Sequence, residues 1–330
     1  MRRELGVRNV SGELQMKPLN IVILGGTGYV GSHMVPRLHA DGHRISVLSR
    51  NRELNRELGV LPRVRVENAD VHDRAALTHK FAGADAVINL VGILNERGSD
   101  GRGFQRAHVE LTETVIAACK AAGVPRLLQM SALRAGDGAS HYLRTRFDAE
   151  TRVRDSGLAW TIFRPSVIFG RGDGLFFRFA SLLRLTPVLP LARAEARFAP
   201  VFVGDVAEAF ARALAHPHSI GRTYELFGPR VITLREIVQW TAALIGKRRW
   251  IIGLPDALGY LQARVGEWLP GKPISRDNFR SLLIDSVGEK DGLGELGIVS
   301  TPMELIVPAM LGENPQQRRL DRFREQHRQA

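Results

Sequence analysis

The feature that most constrains the fold is a regular alternation of short apolar runs with helical segments over residues 20–165. Six runs predict strands: NIVIL (20–24), RISVLS (44–49), VRVEN (64–68), DAVINLVG (85–92), RLLQMS (126–131) and AWTIFRP (159–165). The helical patterns lie near 29–41, 73–82, 104–122 and 141–156. Nearly continuous apolar strands separated by helices are typical of a parallel sheet that is covered on both faces, and right-handed crossovers make such a sheet doubly wound. We therefore predict an α/β protein with a doubly wound parallel sheet.

The pattern changes after residue 170 and predicts a smaller α/β lobe. A very apolar segment, LFFRFASLLRL (175–185), is followed by a short strand, TYELF (223–227), and by a capping box in which Glu236 stands three residues after Thr233. The final segment is polar, which is typical of a frayed end. We predict four parts: a disordered extension (1–18), the main core (19–170), a C-terminal lobe interleaved with the core (171–312) and a polar tail (313–330).

Composition excludes several classes of function. The chain has one cysteine, Cys119, so a disulfide framework is excluded and the thiol is expected in the core. The net charge is +12, but only six of the 46 cations are lysine and the charge is spread along the chain, as in many Arg-rich proteins. No nucleic-acid-binding motif is present, so a nucleic-acid partner is not expected. Without a signal peptide or spanning segment, we expect a cytoplasmic protein, with a peripheral position on the inner membrane as the alternative.

A glycine-rich loop follows the first predicted strand. The segment GGTGYVG places Gly25, Gly28 and Gly31 in a G-x-x-G-x-x-G pattern before an amphipathic helix. Glycine permits a tight turn and a close approach of the backbone to a pyrophosphate at the helix N-terminus. The loop, including Thr27, Tyr29 and Val30, is therefore predicted to bind a dinucleotide in a Rossmann-type fold.

The end of the second predicted strand bears on the choice of cofactor. It reads Ser49-Arg50-Asn51-Arg52, without the carboxylate that would hold the ribose hydroxyls of NAD. Arg50 can pair with a 2′-phosphate, which favours NADPH over NADH. The alternative is an incidental surface arginine.

Residues 20–230 resemble the extended and atypical short-chain dehydrogenase/reductase superfamily (NAD-dependent epimerase/dehydratase-like). Within it, they are most similar to relatives of the NADPH-binding accessory subunit of respiratory complex I. The resemblance is carried by nine motifs: GGTGYVG (25–31), NADVHD (68–73), NLVGIL (89–94), MSAL (130–133), YLRTR (142–146), RPSVIFG (164–170), FVGDVA (202–207), YELFGP (224–229) and PGKPISRDNFRSL (270–282).

The resemblance also implies roles for individual residues. Asp70 and Val71 would flank the adenine, and Leu90, Val91 and Gly92 would line the ribose and pyrophosphate. Pro165, Ser166 and Val167 would frame the nicotinamide. Ser131 falls at the position of the catalytic serine and Tyr142 at that of the catalytic tyrosine, with Glu150 supporting the register. Arg146 departs from the pattern, because active members have lysine there.

Arg146 decides between the functional hypotheses. An arginine keeps the positive charge that lowers a phenol pKa, but its planar fork cannot reproduce the geometry of a compact ammonium. The first hypothesis is an NADPH-binding protein with weak or no turnover and a structural, sensory or assembly role near quinone metabolism or complex I. The alternative is an active NAD(P)-dependent oxidoreductase or epimerase using Tyr142, in which Ser131 polarises a carbonyl. A dinucleotide-sensing transcriptional regulator is suggested only by the charge.

Simpler structural interpretations remain for the same residues. Tyr142 and Arg146 can form a packing pair at the edge of a pocket, and the Ser131 hydroxyl can be satisfied by backbone.

Two amphipathic segments raise the question of apolar partners. The first is residues 175–185, interrupted by Arg178 and Arg184, and the second is residues 255–272, which align Leu258, Leu261, Val265 and Trp268. Core packing is the expectation for both. The alternatives are a lid over an apolar pocket, with a quinone or similar molecule as partner, and contact with a membrane surface or a respiratory complex.

Overall fold

The computed structural model describes residues 6–8, 14–51, 58–269 and 272–311. Its strands are β1 (Gly6–Arg8), β2 (Leu14–Met16), β3 (Asn20–Leu24), β4 (Arg44–Ser49), β5 (Val64–Asn68), β6 (Ala86–Asn89), β7 (Arg126–Met130), β8 (Ala159–Pro165), β9 (Ile168–Phe169), β10 (Val188–Ala192), β11 (Arg197–Phe198), β12 (Val201–Phe202), β13 (Arg222–Leu226), β14 (Ile232–Thr233) and β15 (Trp250–Leu254). Its helices are α1 (Tyr29–Ala40), α2 (Arg74–Phe81), α3 (Arg102–Phe104), α4 (Leu111–Ala122), α5 (His141–Arg154), α6 (Phe176–Leu185), α7 (Val203–Ala215), α8 (Leu234–Leu244), α9 (Asp256–Gly266), α10 (Arg276–Ser281), α11 (Gly292–Glu295) and α12 (Met303–Leu311).

A seven-stranded sheet forms the centre, in the order β13-β8-β7-β6-β3-β4-β5. Every neighbouring pair in this sheet is parallel. All six predicted strands belong to it, four of them with the predicted bounds. β6 ends at Asn89, earlier than predicted, because the N–H of Val91 is taken by the Asn89 side chain (3.1 Å) and the chain turns away.

Helices cover both faces of the sheet. On one face α1 and α7 pack over a core that includes Met34, Val206 and Phe210. On the other face α2 and α4 pack over Phe81 and Val115. Cys119 lies in this second core, where burial raises the pKa of its thiol to about 12. The prediction of a doubly wound α/β fold is confirmed.

The predicted helix over 104–122 is interrupted. A π-helical turn, Gln105–Glu110, joins α3 to α4 and turns the buried side chain of His108 toward α5. Wide turns of this kind concentrate at functional sites. Nothing in the helical periodicity of the sequence marked it.

The C-terminal lobe is built on the parallel pair β10–β15 and on α6 and α8. In α6 the side chains of Phe176, Ala180 and Leu183 are fully buried, whereas Leu185 is exposed, so the core packing expected for residues 175–185 holds for one face of the helix. α8 begins with the predicted capping box, in which Thr233 and Glu236 bond each other's backbone N–H groups. β13 leaves the lobe and pairs with β8, so the lobe and the central sheet are interleaved in the chain.

The expectation of core packing for residues 255–272 is wrong for the predicted apolar face. Leu258, Leu261, Val265 and Trp268 are all exposed. α9 packs instead through the small residues of its opposite face, Gly259, Ala263 and Gly266, which are buried. The periodicity of the sequence showed an apolar face. It did not show that the small residues on the opposite face pack against the rest of the protein.

The ends of the chain are described only in part. Gly6–Arg8 pairs antiparallel with Leu14–Met16, inside the segment predicted as a disordered extension. The predicted polar tail lies outside the described residues. None of the helices in the described part of the chain has the length and apolar character needed to cross a bilayer.

Candidate functional site

The glycine loop lies flat against the carboxyl end of the sheet. Gly25 has φ +76, and a Cβ there would come within 3.1 Å of the backbone of Leu90 and Val91. A Cβ on Gly31 would come within 2.4 Å of the Gly26 backbone, so the first turn of α1 sits directly on the loop. α1 begins after Gly28 and carries no acidic residue in its first turn. Its N-terminus therefore offers N–H groups and a positive dipole end to an anion.

The sheet order brings the other predicted cofactor residues to the same edge. Leu90, Val91 and Gly92 follow β6, which neighbours β3. Arg50 follows β4 and is exposed. Asp70 and Val71 follow β5, where Asp70 accepts the N–H of His72 (2.9 Å) in a tight turn. Arg52 lies outside the described residues.

Arg146 occupies the centre of this edge and is buried. Its Nη1 donates to the carbonyl oxygens of Met130 (3.0 Å) and Val91 (3.4 Å). A Cβ on Gly92 would lie 1.8 Å from its Nη2, so the guanidinium rests on the glycine. No acidic side chain of the described residues bonds it, and a buried cation held only by carbonyls is costly unless an anion or dipole completes its shell.

Tyr142 lies beside the guanidinium, and Ser131 directly follows Met130, whose carbonyl accepts a hydrogen bond from the guanidinium. The Arg146 Cζ lies 5.5 Å from the centre of the Tyr142 ring, and that ring also meets Phe104 and His108 edge-on. Ser131 is buried directly after β7, with its N–H donated to Phe163 O (2.7 Å). Its hydroxyl has no partner, so the simpler interpretation of a hydroxyl satisfied by backbone does not hold.

His108 was not singled out from the sequence, yet it lies under the tyrosine. Its Nε2 accepts the N–H of Ile93 (3.3 Å), which leaves Nδ1 to donate to Thr145 Oγ1 (2.9 Å). Burial, and then the charge of Arg146, lower the pKa of His108 to about 2. The imidazole is therefore neutral and fixed in one tautomer.

Asp277 was also missed, although it lies in the C-terminal motif that resembles the family. Its carboxylate accepts the N–H groups of His141 (2.6 Å) and Tyr142 (3.1 Å) at the start of α5. A carboxylate at this helix end satisfies unpaired N–H groups and matches the dipole. The C-terminal segment thus fixes the position of Tyr142.

The segment Pro165–Val167 is tied into the fold on several sides. The Ser166 hydroxyl donates to Ser286 O (2.8 Å), and its N–H donates to Leu226 O. Leu133 donates to Pro165 O and Val201 donates to Val167 O. The Ser166 hydroxyl is thus already engaged by the protein, and this segment borders the site chiefly through backbone and apolar groups.

Tyr29, at the first position of α1, points its hydroxyl at Gly170. The hydroxyl is buried without a hydrogen-bond partner. Burial, and then the nearby Asp173, raise the pKa of Tyr29. It is therefore neutral and able to donate.

The distribution of unsatisfied polar atoms tests whether a dinucleotide fits. Six buried side-chain polar atoms of the described residues lack a partner, and three belong to Tyr29, Ser131 and Arg146, at the carboxyl end of the sheet. Such atoms are rare in native structures and point to a missing ligand. With the glycine cradle beside them, they fit a nicotinamide dinucleotide, which supplies hydride chemistry when it is bound.

The fold and this edge define a Rossmann-class dinucleotide-binding protein. A family model described as NAD(P)H-binding matches residues 25–174. The chain is 27% identical over 296 residues to NADH dehydrogenase [ubiquinone] 1 alpha subcomplex subunit 9, mitochondrial, of Mus musculus, covering 86% of this chain and 77% of the relative. It is 31% identical to the (4-alkanoyl-5-oxo-2,5-dihydrofuran-3-yl)methyl phosphate reductase of Streptomyces griseus, covering 69% and 74%. The chain belongs to the atypical short-chain dehydrogenase/reductase family, near the complex I accessory subunit.

A solved structure shares the fold over nearly its whole length. It is the NADPH-dependent quinone oxidoreductase of Escherichia coli complexed with NADPH, with a TM-score of 0.71 and 22% identity, covering 88% of this chain and 99% of the other. At that level of identity the likeness concerns the fold alone.

Proposed function

We propose that the protein binds NADPH and turns it over weakly or not at all. The observation that carries this proposal is the setting of Arg146. Its fork is held by the carbonyls at the ends of two strands and pressed onto Gly92, so it cannot move as a lysine ammonium does. It meets Tyr142 through the ring face, and no hydrogen bond joins the guanidinium to the phenol oxygen.

Cofactor binding is separable from the proposed loss of turnover. The glycine loop, the α1 N-terminus and the exposed Arg50 lie toward the pyrophosphate and adenine side of the edge, away from α5. Arg50 at the end of β4 supports a preference for the 2′-phosphate of NADPH. We therefore expect cofactor binding to survive even though arginine stands at the position of the catalytic lysine.

The proposed role is structural, sensory or assembly-related, near quinone metabolism or a respiratory complex. The relation to the mouse protein named as a complex I subunit supports this part. A cytoplasmic protein that visits the inner-membrane surface fits the same role. The competing candidate is an active NAD(P)-dependent reductase using Tyr142 and Ser131, which the relation to the Streptomyces reductase favours.

Thermal unfolding in the presence of each cofactor tests the binding. NADPH at about a hundred times its Kd is expected to stabilise the fold by about 2.7 kcal/mol, which corresponds to roughly 5–10 °C. NADH is expected to give a smaller shift. Arg50→Ser should weaken the affinity for NADPH about tenfold or more, because it removes one charge-assisted contact with the 2′-phosphate. The thermal shift caused by NADH should not change.

Arg44→Ser is the matched control, since Arg44 is exposed at the other end of the same strand. No shift with either cofactor would contradict dinucleotide binding. An equal or larger NADH shift would remove the role of Arg50.

A further inference from the structure

The exposed face of α9 is held outward by tight packing on the opposite side of the helix. A Cβ on Gly259 would lie 3.0 Å from the ring of Phe279, and one on Gly266 would lie 2.6 Å from Ile274 O. The helix therefore cannot roll to bury its large side chains. Leu261 is 51% exposed and Trp268 is 87% exposed.

The neighbouring strand pair continues this apolar surface. In β15, Trp250 (76% exposed) and Ile252 alternate with Ile251, which packs into the lobe. α9 packs on β10, the partner of β15, and Gln262 Nε2 donates to Pro190 O (2.8 Å). We give the name α9–β15 surface to six exposed apolar residues of β15, α9 and the turn that follows α9: Trp250, Ile252, Leu258, Leu261, Val265 and Trp268.

The α9–β15 surface is large for an exposed apolar region. Its two tryptophans alone expose on the order of 400 Å². That area is already comparable to the largest apolar patch of a typical monomer, and such patches usually mark an interaction site.

Cations border the α9–β15 surface. Arg184, Lys247, Arg248 and Arg264 are exposed, and none forms an ion pair with a described residue. The two carboxylates of α9 and its C-terminal turn are already neutralised, Asp256 by Arg193 and Glu267 by Arg276. The border of the surface therefore carries a net positive charge.

We propose that the α9–β15 surface docks on an anionic phospholipid bilayer. Leucine, valine and isoleucine would enter the acyl boundary, tryptophan would sit at the headgroup level, and the free cations would meet lipid phosphates. A second copy of this chain is disfavoured as the occupant, because a twofold contact would bring the four unpaired cations of each copy together.

Vesicle flotation with the full chain tests the proposal without any dinucleotide, so the result is independent of cofactor binding. The vesicles are pure phosphatidylcholine, or phosphatidylcholine with about a third phosphatidylglycerol. We expect binding only to the anionic vesicles, with loss at high salt, because each cation contributes on the order of fivefold to the affinity. Brominated lipid tails are expected to quench the tryptophan fluorescence.

Two double variants separate the apolar and charged contributions. Leu261→Ser with Val265→Ser should weaken binding at least about tenfold, and Lys247→Glu with Arg248→Glu at least about twenty-fold. Their controls change exposed residues elsewhere: Val299→Ser with Leu305→Ser, and Arg44→Glu with Arg65→Glu. Each variant is compared only with a control that has the same unfolding temperature, so that a loss of binding does not reflect a loss of folded protein.

Three outcomes would overturn the proposal. The first is wild-type protein that binds both kinds of vesicle equally or neither of them. The second is surface variants that bind as well as their controls. The third is a dimer in solution that Leu261→Ser dissociates, which would make the surface a protein interface.

Discussion

Replacing Arg146 by lysine tests whether this residue limits turnover, as the proposed function requires. The lysine ammonium would end near the position of the arginine Cζ, about 1.3 Å short of the nitrogens that now contact Met130 O and Gly92. It would release the space over Gly92 and restore a compact, three-donor charge beside Tyr142. We expect Arg146→Lys to raise turnover.

The size of the gain follows from two general magnitudes. A general acid–base group contributes about 10²–10⁴ to a rate, and a misplacement of about 1 Å costs roughly a hundredfold. We therefore expect kcat to rise about a hundredfold, with KM for NADPH changed less. Losing the bond to Met130 O should lower the free energy of unfolding by about 1–2 kcal/mol.

NADPH oxidation is the assay, followed by absorbance with quinone, aldehyde and nucleotide-sugar acceptors. Arg144→Lys is the matched control, because Arg144 lies on the same helix with its side chain exposed. Ordinary turnover by the wild-type protein would refute the reasoning outright. An Arg146→Lys rate no higher than that of Arg144→Lys, at full NADPH occupancy, would show that the arginine is not what limits the chemistry.

Three further predictions concern buried groups. Glu150→Gln removes the charge of a fully buried carboxylate that accepts hydrogen bonds from Arg164 and Arg154. It should lower the free energy of unfolding in urea by about 3–5 kcal/mol, and a decrease below about 1 kcal/mol would contradict this prediction. Gly31→Ala should abolish the NADPH-induced thermal shift, because its Cβ would meet the loop backbone, whereas Gly59→Ala, in open space, should not. The pKa of His108 is about 2 when folded and about 6.5 when unfolded, so its contribution to stability is complete above about pH 6.5 and falls by about 1.4 kcal/mol per pH unit below it. Urea unfolding between about pH 7 and pH 5 should show a weaker dependence of the free energy of unfolding on pH in His108→Gln than in the wild type. An unchanged dependence would exclude His108 as its cause.

Much of the fold follows from local sequence signals. Each strand of the central sheet is a short apolar run, and Gly25 and Gly31 of the loop are required by close approaches of the backbone, so both features could be predicted. The π-helical turn could not, because one wide turn leaves the apolar periodicity of residues 102–122 nearly unchanged. The outward face of α9 could not either, since an apolar helix face has the same pattern whether it packs or not.

The candidate site residues that lie close together in the sequence could be predicted. Contacts between segments that are far apart in the sequence could not. Tyr142 and Arg146 lie on one helix at a spacing that the sequence displays directly. Asp277 caps that helix from 135 residues away, and Ser286 engages Ser166 from 120 residues away. Tertiary contacts of this kind leave no local trace in a single sequence.

The return of β13 to the sheet has a consequence for how the chain folds as it is synthesised. β8 is complete at Pro165, but its free edge stays unpaired until Leu226 has emerged, after part of the lobe has been made. A chain stopped between the two strands would present an open, apolar edge, which is the kind that pairs with other chains. The central sheet is therefore completed only after α6 and β10 of the lobe have been made, and a chain that ends before β13 does not contain the whole sheet.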